Sequence, residues 1–128
     1  MADLILKNAR LPSGDIADIS IENGIITHIG SSDFGKKLDC RGHLLIPAAA
    51  DMHVHMRDGL QSKKEDWKSA TQSAASGGVA CVVDQPNSIP EINSRENFRR
   101  RLELASENSY CHFGINGYVS ENSDFSGL

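Results

Sequence analysis

The sequence has 128 residues and a formal net charge of -4, from 13 lysine and arginine residues against 17 aspartate and glutamate residues. The length suffices for one domain with its own core, and the acidic balance argues against a nucleic-acid partner, because such proteins usually carry a basic patch. No run reaches the roughly 18 apolar residues of a membrane span, and the amino terminus lacks the pattern of a signal peptide. Three cysteines without a C-x-x-C spacing indicate reduced thiols. We therefore expect a soluble, cytoplasmic protein without membrane partners.

Short strand patterns fill the first 47 residues, and none of them carries groups suited to catalysis. They are expected over residues 4–8, 16–22, 25–29, 37–40 and 43–46. Asn23 and Gly24 separate the second and third patterns, and this dipeptide tolerates the positive φ angles of a two-residue hairpin turn. Arg41 and Gly42 suggest a second hairpin between the last two patterns. Several short strands without chemistry predict a small β-sandwich.

A run of alternating polar and apolar side chains follows the apolar residues 44–47. On an extended strand one face would carry Asp51, His53, His55 and Arg57, and the other face Met52, Val54 and Met56. Histidines two residues apart lie roughly 6.6 Å apart along a strand, and their side chains can converge on one metal ion at about 2.1 Å. We expect zinc, since imidazole suits several divalent metals.

A bare His-x-His also arises by chance, and such histidines are more often structural than metal ligands. Two features of the surroundings favour a site here. Asp51 and Arg57 share the face of the histidines, and the strand ends directly after them in a polar loop. Ligand sites of α/β barrels lie at this carboxyl end of the strands.

A helix and a buried strand are predicted next. Ser62 and Glu65 form a capping box that predicts the start of a helix, and Gly77-Gly78 predicts its end. The continuous apolar run 79–83 is typical of a parallel strand buried on both faces. Asn87 follows this strand after a proline, where asparagine is common as a plain turn residue.

The rest of the chain repeats the pattern. A second helix is expected to begin near residue 93 or 94, with Phe98, Leu102 and Ala105 in its buried stripe, and residues 110–116 are expected to form a third strand. The basic run 99–101 is interpreted as a solvated helix face, and His112 as a core or second-layer histidine. Alternating strands and helices after residue 47 are typical of βαβ units, so the sequence predicts an α/β fold with a parallel sheet.

At these residues the sequence resembles dihydroorotase, a family within the amidohydrolase superfamily of metal-dependent cyclic-amide hydrolases. The resemblance extends over the whole chain. Its most specific part is His-x-His-x-Arg, at His53, His55 and Arg57, followed about thirty residues later by Pro-Asn at Asn87. Related hydantoinases, dihydropyrimidinases and allantoinases share the paired histidines but generally lack this combination of arginine and asparagine.

The resemblance implies the start of a (β/α)₈ TIM-type barrel preceded by part of a small β-sandwich. Residues 1–47 would be the amino-terminal part of the sandwich, and residues 48–128 about three βα units of the barrel. A complete barrel takes about 250 residues. We therefore expect an amino-terminal fragment that is inactive alone and that forms homo-oligomers or associates through its open sheet edge.

The implied reaction is the reversible cyclisation of N-carbamoyl-L-aspartate to dihydroorotate in pyrimidine biosynthesis. His53 and His55 would bind one of one or two zinc ions, and Arg57 with Asn87 would hold the substrate carboxylate. The general acid/base and the other ligands would come from later barrel strands. A metal ion polarises the amide carbonyl and lowers the pKa of its bound water to about 7.

Three alternatives remain open at this point. One is a related cyclic-amide hydrolase, but hydantoin and dihydropyrimidine substrates lack the carboxylate that Arg57 would bind. Another is a non-catalytic dihydroorotase-like scaffold, because two imidazoles are fewer than the three protein ligands typical of catalytic zinc. The last is a β-sandwich binding module with a vestigial start of a barrel.

Overall fold

The computed structural model describes residues 2–31, 33, 35–121, 123–124 and 126. The chain forms two compact units, Met1–Pro47 and Ala48–Leu128. The first is a four-stranded sheet, and the second combines a three-stranded parallel sheet with two α-helices. None of the helices in the described ranges is both long and apolar enough to cross a membrane.

The first unit has its four strands in the order β3-β2-β1-β4. Their bounds are Leu4–Arg10 (β1), Ile16–Glu22 (β2), Ile25–Ile29 (β3) and Lys36–Asp39 (β4). Strand β2 pairs antiparallel with β1 and β3, and β4 runs parallel to β1. The predicted first hairpin is confirmed, since Asn23 and Gly24 connect β2 to β3 with φ angles of 50° and 75°.

The predicted second hairpin around Arg41 and Gly42 is wrong. Both residues have positive φ angles, but the chain does not fold back on β4. Instead it continues along β1, where Arg10 N donates to His43 O at 3.0 Å and Leu45 N donates to Arg10 O at 2.8 Å. Turn residues set the local backbone angles, whereas the strand that offers free backbone groups decides the pairing.

The first unit buries few apolar side chains within the described residues. Ile5, Ala9 and Ile19 are buried. Seven large apolar residues of this unit are each more than half exposed, namely Ile16, Ile25, Ile26, Ile29, Leu38, Leu44 and Ile46. A patch of this kind is typical of a surface that another segment or partner covers.

The second unit alternates strands and helices. Its elements are β5 (Ala49–Val54), a 3₁₀ turn (Gly59–Gln61), α1 (Trp67–Ser76), β6 (Val79–Asp84), α2 (Arg95–Asn108) and β7 (His112–Ile115). The strands lie in the order β5-β6-β7 and both pairings are parallel. The prediction of an α/β fold with a parallel sheet is therefore confirmed.

The two helices begin with side-chain caps. Ser94 precedes α2 and its hydroxyl accepts from Asn97 N at 3.2 Å, so the predicted start is confirmed. The capping box predicted at Ser62 is wrong, because α1 begins one turn later, where the Asp66 carboxylate accepts from Ser69 N at 2.7 Å. This hydrogen bond lowers the pKa of Asp66 below its ordinary value. Ser62 instead ends the 3₁₀ turn.

Trp67 is at the centre of the core of the second unit. It is fully buried with Met56, Val82 and Ala105, and its ring meets the edge of Phe113 at a centroid distance of 5.4 Å. Because aromatic pairs of this geometry add to the stabilisation from burial, Trp67 fixes helix α1 against the sheet.

Candidate functional site

The candidate site lies where strands β5 and β6 end. Asp51 pairs with Val82, and Val54 pairs with Asp84, so β5 has one more residue than β6 over this interval. The extra residue is a β-bulge, which interrupts the regular alternation predicted for residues 51–57 and re-aims the side chains beside it. Within the bulge the carbonyl of Met52 accepts from Gln85 Nε2 at 3.2 Å, and Met52 itself is 65% exposed.

The two histidines of the motif come together at this edge. The ring centroids of His53 and His55 are 5.4 Å apart, with the planes at 80°. His55 Nδ1 lies 2.8 Å from the Oδ1 atom of Asn87. In the tautomer with the proton on Nδ1, His55 donates to this carbonyl oxygen, and the lone pair of Nε2 is then available to a metal ion. The structure thus brings together His53, His55 and Asn87, three of the four predicted site residues.

These groups fit part of a metal site. A ligating histidine usually donates its second ring N–H to an oxygen that fixes the tautomer and the ring orientation, as Asn87 does for His55. Within the described residues, no cluster of three or more His, Cys, Asp or Glu side chains could hold a metal ion. Catalytic zinc usually takes three protein ligands. The described chain therefore offers two imidazoles and no complete site.

Arg57, the fourth predicted residue, lies in a strained backbone segment after β5. Arg57, Asp58 and Gly59 have consecutive positive φ angles of 54°, 73° and 53°. Left-handed angles cost about 1–3 kcal/mol for a residue other than glycine and persist only where the surroundings enforce them. Among the residues that the structure describes, no hydrogen bond or ion pair occupies the guanidinium of Arg57.

Asp58 holds one side of this segment. Its carboxylate accepts from Gly59 N at 2.7 Å and from Trp67 N at 3.2 Å, and its own N–H donates to Glu65 O at 3.0 Å. These bonds connect the loop after β5 to the start of helix α1, so the loop is fixed at its distal end.

Asp84 and Arg101 bind the backbone at the beginning of this segment. Neither residue was assigned to the site from the sequence. Arg101 Nε and Nη2 donate to Asp84 Oδ2 at 2.8 and 2.6 Å, and the side chains are 7% and 1% exposed. Asp84 Oδ1 accepts from Met56 N at 2.9 Å, and Arg101 Nη1 donates to Arg57 O at 2.5 Å. The guanidinium also lies 5.1 Å from the centroid of the Trp67 ring.

The interpretation of residues 99–101 as a solvated face is therefore wrong for Arg101. One signal could have revealed it, because Arg101 precedes the buried Ala105 by four residues and so shares its helix face. Leu102, expected in the buried stripe, is 40% exposed instead. His112, expected in the core, is also exposed.

Cavity size does not point to these residues. A cavity of about 530 Å³ lies at the opposite end of the sheet, and residues that precede the strands help to line it, among them Ala48, Gly78 and Tyr110. A cavity of about 240 Å³ includes Asp51 and His55. The metal-binding chemistry of the side chains is a better guide to the site than cavity volume, because a three-stranded sheet leaves a ligand pocket without most of its walls.

Comparison with known proteins finds relatives of this chain. No protein-family model matches the sequence. Over 129 aligned positions it is 43% identical to the dihydroorotase of Methanosarcina mazei, an alignment that covers 95% of this chain and 28% of the relative. The dihydroorotase of Methanosphaera stadtmanae is 34% identical, with 97% of this chain and 30% of the relative covered. The chain is homologous to dihydroorotases.

A solved structure agrees with this homology. The L-hydantoinase (dihydropyrimidinase) from Arthrobacter aurescens superposes with a TM-score of 0.81 at 25% identity, over 91% of this chain and 28% of its own. The predicted resemblance to the dihydroorotase and amidohydrolase sequences is confirmed. The chain spans little more than a quarter of the length of the relatives that it matches.

Proposed function

We propose that this chain is the amino-terminal part of a dihydroorotase, which catalyses the metal-dependent, reversible cyclisation of N-carbamoyl-L-aspartate to dihydroorotate. The observation that carries the proposal is the convergence of His53, His55 and Asn87 at one sheet edge, in a chain homologous to dihydroorotases over nearly its whole length. We further propose that residues 1–47 begin a β-sandwich and that residues 48–128 begin a (β/α)₈ barrel.

His53 and His55 would contribute two nitrogen ligands to one of one or two zinc ions. Bound zinc would polarise the amide carbonyl and lower the pKa of water. The hydrogen bond between His55 Nδ1 and Asn87 supports the assignment. With Nδ1 engaged, the lone pair of His55 Nε2 stays free to bind the metal ion. The remaining ligands and the general acid/base would come from parts of the enzyme outside these 128 residues.

Arg57 would bind the substrate carboxylate that takes no part in the bond change. A planar guanidinium holds a carboxylate through two parallel charge-assisted hydrogen bonds, which would orient the ring. Asn87 has its carbonyl oxygen engaged by His55, and its amide N–H groups stay available to the substrate. The single side chain of Asn87 would thus connect a metal ligand to the bound substrate.

Exposed strand edges favour association. Within the described residues, β5 and β7 each pair on one side only. Unpaired edges and apolar faces attract further strands or subunits. We propose that the later strands of the enzyme cover the sheet of the second unit and that the assembled enzyme is a homo-oligomer.

The experiment that tests the proposal measures metal content and dihydroorotate hydrolysis for the full-length protein. The variants are His53→Ala/His55→Ala and Arg57→Ala, with His28→Ala as the control because His28 lies on the exposed strand β3. We expect the double variant to lose metal and activity. Arg57→Ala should keep its metal and bind dihydroorotate more weakly, and His28→Ala should match the wild type.

One other candidate function has structural support, the hydrolysis of hydantoin-type rings, because the superposed structure is an L-hydantoinase. A full-length protein that binds metal and hydrolyses hydantoins but ignores dihydroorotate would establish it. A protein that binds no metal would instead favour a non-catalytic scaffold.

A further inference from the structure

We propose that Arg101, together with Asp84, is a positioning residue for Arg57. The pair fixes the left-handed backbone at the end of β5, and the backbone in turn sets the direction of the Arg57 guanidinium toward the substrate carboxylate. The inference rests on the proposed function in one respect, namely that Arg57 contacts the substrate. It assigns a role to two buried charged residues outside the His-x-His-x-Arg motif.

The geometry of the pair supports this role. One guanidinium uses three separate N–H directions, two toward Asp84 Oδ2 and one toward the carbonyl of Arg57. The second oxygen of Asp84 accepts from the N–H of Met56, the residue before Arg57. The ion pair therefore binds the N–H of Met56 and the carbonyl of Arg57, the two backbone groups on either side of the Met56-Arg57 peptide bond, where the left-handed segment begins.

Burial makes this arrangement rigid. Arg101 is 7% exposed, Asp84 is 1% exposed, and the fully buried Trp67 lies against the guanidinium. A buried ion pair is weak evidence for a gain in stability, but the hydrogen bonds of this pair restrict the positions of the Met56 amide and the Arg57 carbonyl. Backbone strain of the kind seen at Arg57 and Asp58 is retained mainly at functional sites.

Lysine could not reproduce these contacts. A lysine at residue 101 would keep the positive charge but would lack the planar fork that reaches Asp84 and the Arg57 carbonyl at once. The neighbouring Arg100 provides a matched control, because its side chain is 67% exposed and bonds only to Glu96 on the same helix. Arg101→Lys and Arg100→Lys thus make the same chemical change at a buried and an exposed position.

The test uses the full-length, metal-loaded protein. We expect Arg101→Lys to raise KM for dihydroorotate by about 10- to 100-fold with a smaller effect on kcat, since misplacing a binding group by about 1 Å has an effect of this size. Hydrolysis of dihydrouracil, the same ring without the carboxylate, should change far less. In an Arg57→Ala background the Arg101→Lys change should add little, because both act on one interaction. Arg100→Lys should match the wild type.

A second measurement needs no substrate. Hydrogen exchange at the Met56 amide should accelerate in Arg101→Lys and not in Arg100→Lys. If Arg101→Lys does not fold, the neutral double variant Asp84→Asn/Arg101→Gln leaves no unpaired buried charge and takes its place.

The outcomes separate the two proposals. Equal losses on both substrates, additive effects with Arg57→Ala, or unchanged Met56 exchange would overturn the positioning role. If the wild-type protein does not hydrolyse dihydroorotate but Arg101→Lys accelerates hydrogen exchange at the Met56 amide, only the proposed function is overturned. That result would support the role of Arg101 in fixing the backbone.

Discussion

Replacing Asp84 by asparagine should destabilise the second unit strongly, because it leaves Arg101 as an unpaired buried charge. Asparagine keeps an oxygen for the N–H of Met56 but replaces the acceptor of two guanidinium bonds, at 2.6 and 2.8 Å, by an N–H group. Breaking a buried pair in this way costs about 3–5 kcal/mol. That is a large part of the 5–15 kcal/mol that typically separates folded from unfolded domains.

Urea unfolding of the 128-residue chain, followed by tryptophan fluorescence, measures this effect. Trp67 is the only tryptophan of the sequence and contacts Arg101, so its emission reports on the unit that contains the pair. With an m-value of about 1–3 kcal/mol per M, the midpoint of Asp84→Asn should fall by about 2 M.

Glu96→Gln is the control, because it breaks an ion pair of nearly the same length in a different environment. The Arg100–Glu96 contact is 2.5 Å and the Arg101–Asp84 contact is 2.6 Å, but the first pair is 67% and 71% exposed. The exposed pair should contribute no more than about 0.5 kcal/mol. If Asp84→Asn costs less than about 1 kcal/mol, so that the two variants are alike, the reasoning from burial is refuted.

Three further predictions concern the local structure. Thr71→Val should lower stability by about 1–2 kcal/mol relative to Thr71→Ser in chemical unfolding, because the buried hydroxyl accepts from Tyr110 N at 3.1 Å and valine leaves that N–H without a partner. Gly24→Ala should cost about 1 kcal/mol and Gly24→Asn less, as measured by circular dichroism, because residue 24 has a φ of 75° with open space around it. Asp66→Ala should lower Tm at pH values above the ordinary aspartate pKa of about 3.9, and the difference from the wild type should shrink below that pH and disappear as pH falls through the lower folded-state pKa. The sign follows from the bond to Ser69 N, which lowers the folded-state pKa of Asp66, so the ionised cap stabilises only at higher pH.

The parts of the fold that were predictable have local causes. The β2–β3 hairpin follows from two residues that accept positive φ angles, and the start of α2 follows from one capping serine. The prediction of a second hairpin was wrong because Arg41 and Gly42 determine a turn but not the pairing partner of the segment that follows. That partner is β1.

The candidate site likewise has one part that the local sequence predicts and another that it does not. The two histidines lie two residues apart at the end of one strand, so their proximity could be predicted from strand geometry alone. The groups that hold them are distant in sequence: Asp84 is 28 residues from Met56, Asn87 is 32 residues from His55, and Arg101 is 44 residues from Arg57. No local pattern could reveal these contacts.

Charge alone also could not separate Arg100 from Arg101. Both follow a helical pattern rich in charged residues, yet one bonds to Glu96 in solvent and the other is buried on the helix face of Ala105. The difference arises from the sheet, because Asp84 ends the apolar strand β6 with a carboxylate that needs a buried cation. Here the buried partner of opposite charge, Arg101, lies on the helix that follows. In this chain that partner is also the residue that holds the backbone of Arg57.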